Sequence, residues 1–450
     1  MSEQKGKAGS QLAISGGKPS IPDTKISKHS RWPVIGPEDK AAVLAVLDRG
    51  VLSGPFAPEV RGLEQDFASY LGSKHCLATN SGTSALHIAL AALGVGPGDE
   101  VIVPAFTFVA SALAVLHQNA VPVFVDIEPK TLGMDPRLVE AAITPRTRAI
   151  MPVHIHGTPC DLDAILAIAK RHRIPVLEDA CQAHGATYHG RKVGSIGQIG
   201  AFSLQSSKSL ACGEGGLMVT SDEELQDRAN RTRMFGENIR PADSTGYRIE
   251  RALDSDRAYD SVTMGWMYRT NEMSAALARS QLKRLEEWNL NARRNGEFLS
   301  RKLGELPGIT PPIVPEGSVG VYHKYRLRMD ATKQGIDASP RQVRDAVLRA
   351  LVAEGVDAVM WQSQPVPGQK LFREKIGFGS GAPWDRAQAV DYRLEQYPET
   401  VRLLDSSLCL FSHTYPIGPQ PLELCEAYVE AFTKVWNRLD EVMAAAPRKE

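Results

Sequence analysis

Between residues 75 and 220 the chain alternates two hydrophobic patterns. Runs rich in Val and Ile, "EVIVP", "VPVFVDI", "RAIMPVHIHG" and "IPVLEDAC", are separated by "SALHIALAALG", "FVASALAVLHQ" and "DLDAILAIAKRH", where apolar residues recur at helical steps. Continuous apolar runs suit strands covered on both faces, and the intervening stretches suit helices packed against them. The alternation predicts an α/β fold with a mostly parallel sheet covered by helices. In such sheets ligands gather at the carboxyl ends of the strands, so functional residues are expected just after strands.

Residues 222–235 and 272–304 continue with helical spacing, their Arg and Lys runs reading as solvated faces. The polar, aperiodic stretch 239–261 between them reads as an exposed loop or a flap over a site, the loop being preferred. After the Pro- and Gly-rich "LPGITPPIVPEG" the pattern changes to a strand, "HKYRLRM", a helix started by Ser339 and Pro340, and a terminal helix from about residue 421. This predicts a second, smaller α/β domain over 311–450, after an N-terminal extension over 1–30 and a large domain over 31–310. Residues 362–385 form another long irregular stretch, and with 239–261 they are the candidates for setting specificity.

Composition removes several classes of function. At 450 residues, with 43% hydrophobic and 23% charged residues, the chain is of ordinary globular character. Lys+Arg and Asp+Glu balance at 52 each, which argues against nucleic acid or an anionic membrane as partner. The six cysteines include no C-x-x-C pair, so reduced, buried thiols are expected. The N-terminus lacks a signal-peptide apolar core, and "VIVPAFTFVASALAVL" is too short and too interrupted to span a bilayer, which predicts a cytoplasmic protein.

Several strand ends carry candidate chemistry. "NSGTSAL" places Gly82, Thr83 and Ser84 at a helix start, where free N–H groups and the helix dipole favour a phosphate, although Ser and Thr cap many helices. Asp179 ends "IPVLEDA" and is either a helix cap or a carboxylate for a protonated ring nitrogen or a metal. Ser203 and Lys208 follow "AFSLQ"; the lysine is a surface residue, a phosphate counter-charge or an amine that condenses with a carbonyl. His154 and His156 lie two apart on a predicted strand and so point the same way. No third ligand at recognised spacing accompanies them, and no metal site is expected. A phosphate-binding helix start, an aromatic segment, a strand-end aspartate and a loop lysine together match the needs of pyridoxal phosphate.

In this order the segments resemble the DegT/StrS family of sugar and cyclitol aminotransferases, which have the aspartate aminotransferase fold, fold type I. The resemblance runs from "LAISGGKPSIP" through "SGTSAL", "VIVPAFTFVAS", "PVHIHGTPCDLD", "VLEDACQAHGA" and "FSLQSSKSLACGEGG" to "HKYRLRM". It implies that Lys208 holds pyridoxal phosphate covalently and moves the substrate proton, and that Asp179 faces the pyridine nitrogen. It places Phe108, rather than Phe106, on the cofactor ring, with Gln182 close by. Gly82, Thr83, the Ser84 region and Ser203 would hold the phosphate. Where the family carries a partner-donated asparagine, this chain has Met267; Asn271 follows four residues later and could replace it if the stretch is helical. The resemblance therefore implies a homodimer with shared sites.

Lysine at 208 distinguishes the chain from relatives with histidine there, which dehydrate sugars, so transamination is expected. The wording resembles enzymes that aminate keto-cyclitols or keto-sugars of secondary metabolism with glutamine or glutamate as donor. Acceptors linked to nucleotides for surface polysaccharide, another pyridoxal phosphate reaction, and a non-catalytic regulatory member are the alternatives. His154, His156, His184, His323, Lys324 and His413 are candidates to bind substrate hydroxyls.

Overall fold

The computed structural model describes residues 11–22, 29–54, 57–237, 261–386 and 390–445. The large sheet is built from β1 (His75–Thr79), β2 (Glu100–Pro104), β3 (Val121–Val125), β4 (Thr147–Ile150), β5 (Leu177–Asp179), β6 (Ile199–Ser203) and β7 (Gly216–Thr220). Pairing gives β3-β2-β4 and β5-β6-β7-β1, and the parallel bridges Ile150 to Val176 and Val153 to Asp179 join the two halves. Only β7 runs against its neighbours β6 and β1, so β1, β2, β5 and β6 end at one edge. Every residue of β2 and β6 is buried, including Glu100 at the start of β2 and Ser203 at the end of β6.

Glycine lets three of these strand ends meet. A Cβ on Gly82, at the start of helix Gly82–Ala92, would lie 2.6 Å from Ser203 Cβ and 3.2 Å from Cys181 Sγ. Any larger residue would push the β1, β5 and β6 ends apart.

The smaller sheet is antiparallel, with β8 (Ile309–Thr310), β9 (Tyr325–Met329), β10 (Ala358–Val359) and β11 (Ser407–Leu410) in the order β8-β9-β11-β10. Strand alternation divides β9: Tyr325, Leu327 and Met329 enter a core with Val347, Leu351, Tyr428 and Trp436. Arg326 and Arg328 face the other way, toward the large domain. Helix Pro340–Ala353 starts at Ser339 with a capping box closed by Gln342. Among the described residues no helix is long and apolar enough to cross a membrane.

Three expectations change on folding. The helix expected over 272–304 is two helices, Glu272–Leu282 and Leu285–Leu303. Leu12 and Ile21 pack in the small-domain core, and the buried Glu354 carboxylate accepts from the Ala13 and Ser20 amides at 2.8 Å each, so the N-terminal segment closes that domain. Residues 311–450 do not pack as one unit, because Val366, Phe372, Tyr392 and Tyr397 join the core around helix Gly82–Ala92.

Candidate active site

Asp179 is buried at the carboxyl end of β5. The Ser111 hydroxyl donates to its Oδ2 at 2.7 Å, and the Cys181 amide donates to its Oδ1 at 3.1 Å. Thr107 Oγ1, one turn before Ser111, lies 2.8 Å from the Ser111 hydroxyl and completes the chain of support. Each carboxylate oxygen keeps lone-pair capacity beyond these bonds. Ser111 was not singled out in the sequence; its place four residues after Thr107, on the "FVAS" helix, is the signal that could have found it.

Lys208 stands in the turn after β6, its amide donating to the Gln205 carbonyl at 2.8 Å and its own carbonyl accepting from Trp32 Nε1 at 3.0 Å. Its side-chain amine has no hydrogen bond or ion pair among the described residues. Burial holds that amine below the ordinary lysine value, against the pull of Cys181 and Asp179. A desolvated, unpaired amine gives up its proton readily and becomes a nucleophile. Trp32 had no local sequence signal, since its role depends on a contact spanning much of the chain.

Neutral imidazoles surround the lysine. Burial, then the Lys208 charge, pushes His184 down to about 3. Burial, then Lys324 and Lys208, pushes His413 down to about 4. His323 is held well below its ordinary value, chiefly by burial and then by Lys208. Uncharged imidazoles both donate and accept, as a polyhydroxylated substrate requires.

Phe106 and Phe108 differ in exposure. Phe106 is fully buried, edge-on to His156 at 5.5 Å and to Trp361 at 5.9 Å. Phe108 is 55% exposed and free to meet a ligand ring. Gln362, from the stretch expected to set specificity, donates to the Thr107 carbonyl at 2.7 Å beside it. Gln182 Oε1 accepts from the His156 amide at 2.9 Å and holds that turn.

At the helix start, Ser84 is committed within the protein, its amide donating to Ser81 Oγ at 3.1 Å and its hydroxyl to Asn80 Oδ1 at 2.6 Å. The amides of Gly82 and Thr83 keep no acceptor among the described residues. The phosphate expectation therefore narrows to those two amides and the adjoining Ser203.

Two further expectations need correction. His154 and His156 are not on a strand, because β4 ends at Ile150 and His156 turns through φ 57°. They diverge: His154 Nδ1 accepts from the Cys160 amide at 3.1 Å and its Nε2 reaches Glu178 at 3.0 Å, which removes His154 from the candidates for substrate binding. Met267 and Asn271 do not share a helix face either. Met267 bridges Met234, and Asn271 is the N-cap of helix Glu272–Leu282, its Oδ1 accepting from the Ser274 amide at 2.9 Å. Of the expected loop 239–261, residues 239–260 lie outside the described residues.

The residues present fit pyridoxal phosphate. An unpaired lysine amine lies near a supported carboxylate, with an exposed aromatic ring and two free helix-start amides at the same sheet edge. A sheet of this order bearing this edge defines the pyridoxal phosphate enzymes of fold type I.

The profile of the DegT/DnrJ/EryC1/StrS aminotransferase family matches residues 33–388, and the chain belongs to that family. It is 37% identical over 440 residues to the L-glutamine:scyllo-inosose aminotransferase of Streptomyces griseus, covering 96% of this chain and 99% of that protein. It is 40% identical over 307 residues to the spore coat polysaccharide biosynthesis protein SpsC of Bacillus subtilis (strain 168), covering 68% of this chain and 77% of that one. The crystal structure of 3-amino-5-hydroxybenzoic acid synthase superposes with a TM-score of 0.78 at 30% identity, covering 93% of this chain and 99% of that one. The protein is a pyridoxal-phosphate-dependent sugar or cyclitol aminotransferase.

Proposed function

We propose that the protein moves an amino group from glutamine or glutamate to a keto-cyclitol or keto-sugar of secondary metabolism. The observation that carries the reading is the unpaired Lys208 amine beside the supported Asp179 carboxylate at one sheet edge. The nearly end-to-end match to a scyllo-inosose aminotransferase supports the cyclitol acceptor and the glutamine donor. A surface-polysaccharide sugar is the second reading, favoured by the match to SpsC.

Bound pyridoxal phosphate supplies an electron sink for the pair left when the substrate carbon loses its proton. Lys208 would hold the cofactor through its amine and would serve as the base that takes up and returns that proton. Asp179, fixed by Ser111 and Cys181, would keep the ring nitrogen protonated. Phe108 would offer its exposed ring to the cofactor ring, and the Gly82 and Thr83 amides with the Ser203 hydroxyl would hold the phosphate. His184, His323 and His413 orient hydroxyl groups of the acceptor.

The active unit is a homodimer in the cytoplasm. Met264 at 78%, Met267 at 47% and Phe235 at 45% exposure are apolar side chains that a second copy would cover, and Asn271 is exposed near them.

The test is the visible spectrum of the purified protein before and after glutamine or glutamate, with Lys208→Ala alongside. The wild type should carry the lysine-bound cofactor band and lose it with one donor. Lys208→Ala should lack the band and slow amino transfer by about a thousandfold. No band after adding pyridoxal phosphate would overturn the assignment.

A further inference from the structure

Beside the site the structure holds two buried cations that make no ion pair among the described residues. Lys324, in the bend just before β9, and Arg326, on that strand, are each only 3% exposed. Arg326 donates through Nε to His156 Nε2 at 3.1 Å and through Nη1 to Ser407 Oγ at 2.7 Å, while its buried Nη2 finds no acceptor. Because His156 Nε2 accepts, its proton sits on Nδ1, which is also buried and without a partner. The Lys324 amine has no hydrogen bond and no ion pair among the described residues. Lys324, Arg326 and His156 line one pocket together with Lys130, Thr131 and Thr158, and no carboxylate lines it.

Leaving a buried cation unpaired costs several kcal/mol, so such groups are normally matched by a carboxylate. Here three donors, two of them charged, share a pocket that offers them no anion. Tyr322 lines both this pocket and the neighbouring cavity that Lys208 lines, which sets the two side by side, and the Lys208 charge acts on both His156 and Lys324.

We propose that Lys324, Arg326 and His156 form an oxyanion subsite that takes a carboxylate or phosphate group of a small molecule bound at the Lys208 centre. The subsite stands on its own geometry, and only the source of the oxyanion rests on the aminotransferase reading. That source is either the carboxylate of the amino donor or an anionic group on the acceptor.

Calorimetric titration of the full-length protein with acetate and with inorganic phosphate tests the subsite directly. Wild type should bind at least one probe saturably, and both Lys324→Met and Arg326→Met should weaken it tenfold or more. Lys324→Met breaks no hydrogen bond, so it keeps the test decisive if Arg326→Met fails to fold. Unchanged probe binding in Lys324→Met, or no binding by wild type, overturns the proposal whatever the protein's activity. Probe binding by a protein that transfers no amino group would instead support the subsite and reject the aminotransferase reading. The two half-reactions then separate the sources. A tenfold rise in the donor KM at steady kcat in Lys324→Met assigns the donor carboxylate, and the same rise for the acceptor assigns an anionic acceptor. No change in either KM overturns the subsite's place at the reacting centre.

Discussion

Glu178 and the Lys324–Arg326 pair are all buried ions, yet the protein treats them in opposite ways. Glu178 accepts from the amides of Gly194 at 2.7 Å, Ile196 at 2.7 Å and Gly197 at 2.6 Å, and from His154 Nε2 at 3.0 Å. Burial alone would raise its carboxyl; the bonds from His154 and these amides hold it below the ordinary value. Lys324 has no such bond among the described residues, and Arg326 leaves one nitrogen unmatched. A buried charge whose lone pairs are all met belongs to the architecture, and one whose donors are left over is reserved for a ligand. The neighbouring Asp179 lies between these cases, with one donor on each oxygen and capacity for more.

The sharpest break of this comparison is Glu178→Ala, which strands four donors. It should destabilise the protein by about 3–5 kcal/mol, read from the urea midpoint. A loss below about 1 kcal/mol would show that the network is not structural.

Lys324→Met should act in the other direction, raising stability in ligand-free buffer by about 1–3 kcal/mol while oxyanion binding falls. Burial first, then repulsion from Lys208 and Arg326, outweighs the pull of Cys409 and Asp357 and pushes the Lys324 ammonium down to about 8. The unfolded chain then holds the extra proton between about pH 8 and the ordinary lysine value near 10.4, so in that window stability rises with pH. Oxyanion affinity should fall across the same window as the ammonium loses its charge. Calorimetric titrations on either side of pH about 8 check this, and a flat profile there would remove Lys324 from the subsite.

The smallest effect probes the intermediate case. Ser111→Ala removes one charge-assisted bond to Asp179 and should slow the donor half-reaction roughly tenfold, about 1.4 kcal/mol, with little change in melting temperature. Loss of stability without loss of rate would move Asp179 into the same class as Glu178.

Much of this was legible in the chain because it is local. Apolar runs marked β2, β3 and β5, Ser339 and Pro340 marked a helix start, and the order of "SGTSAL", "EDACQ" and "SSK" pointed to one cofactor. The His154–His156 expectation failed because strand alternation was carried past Ile150 into a turn. The Met267–Asn271 expectation failed because the helix begins only after Asn271. Ser111, Trp32 and the leftover donors of Arg326 were invisible because each depends on a contact between segments remote in sequence.

The sequence by itself determined the elements, the fold class and the residue types at each strand end, since propensity, periodicity and capping act over a few neighbouring residues. Only the tertiary structure decided which polar groups are satisfied. Hydrogen bonds to buried ions are made by whatever the folded chain brings within about 3 Å, and that proximity has no signature in local order.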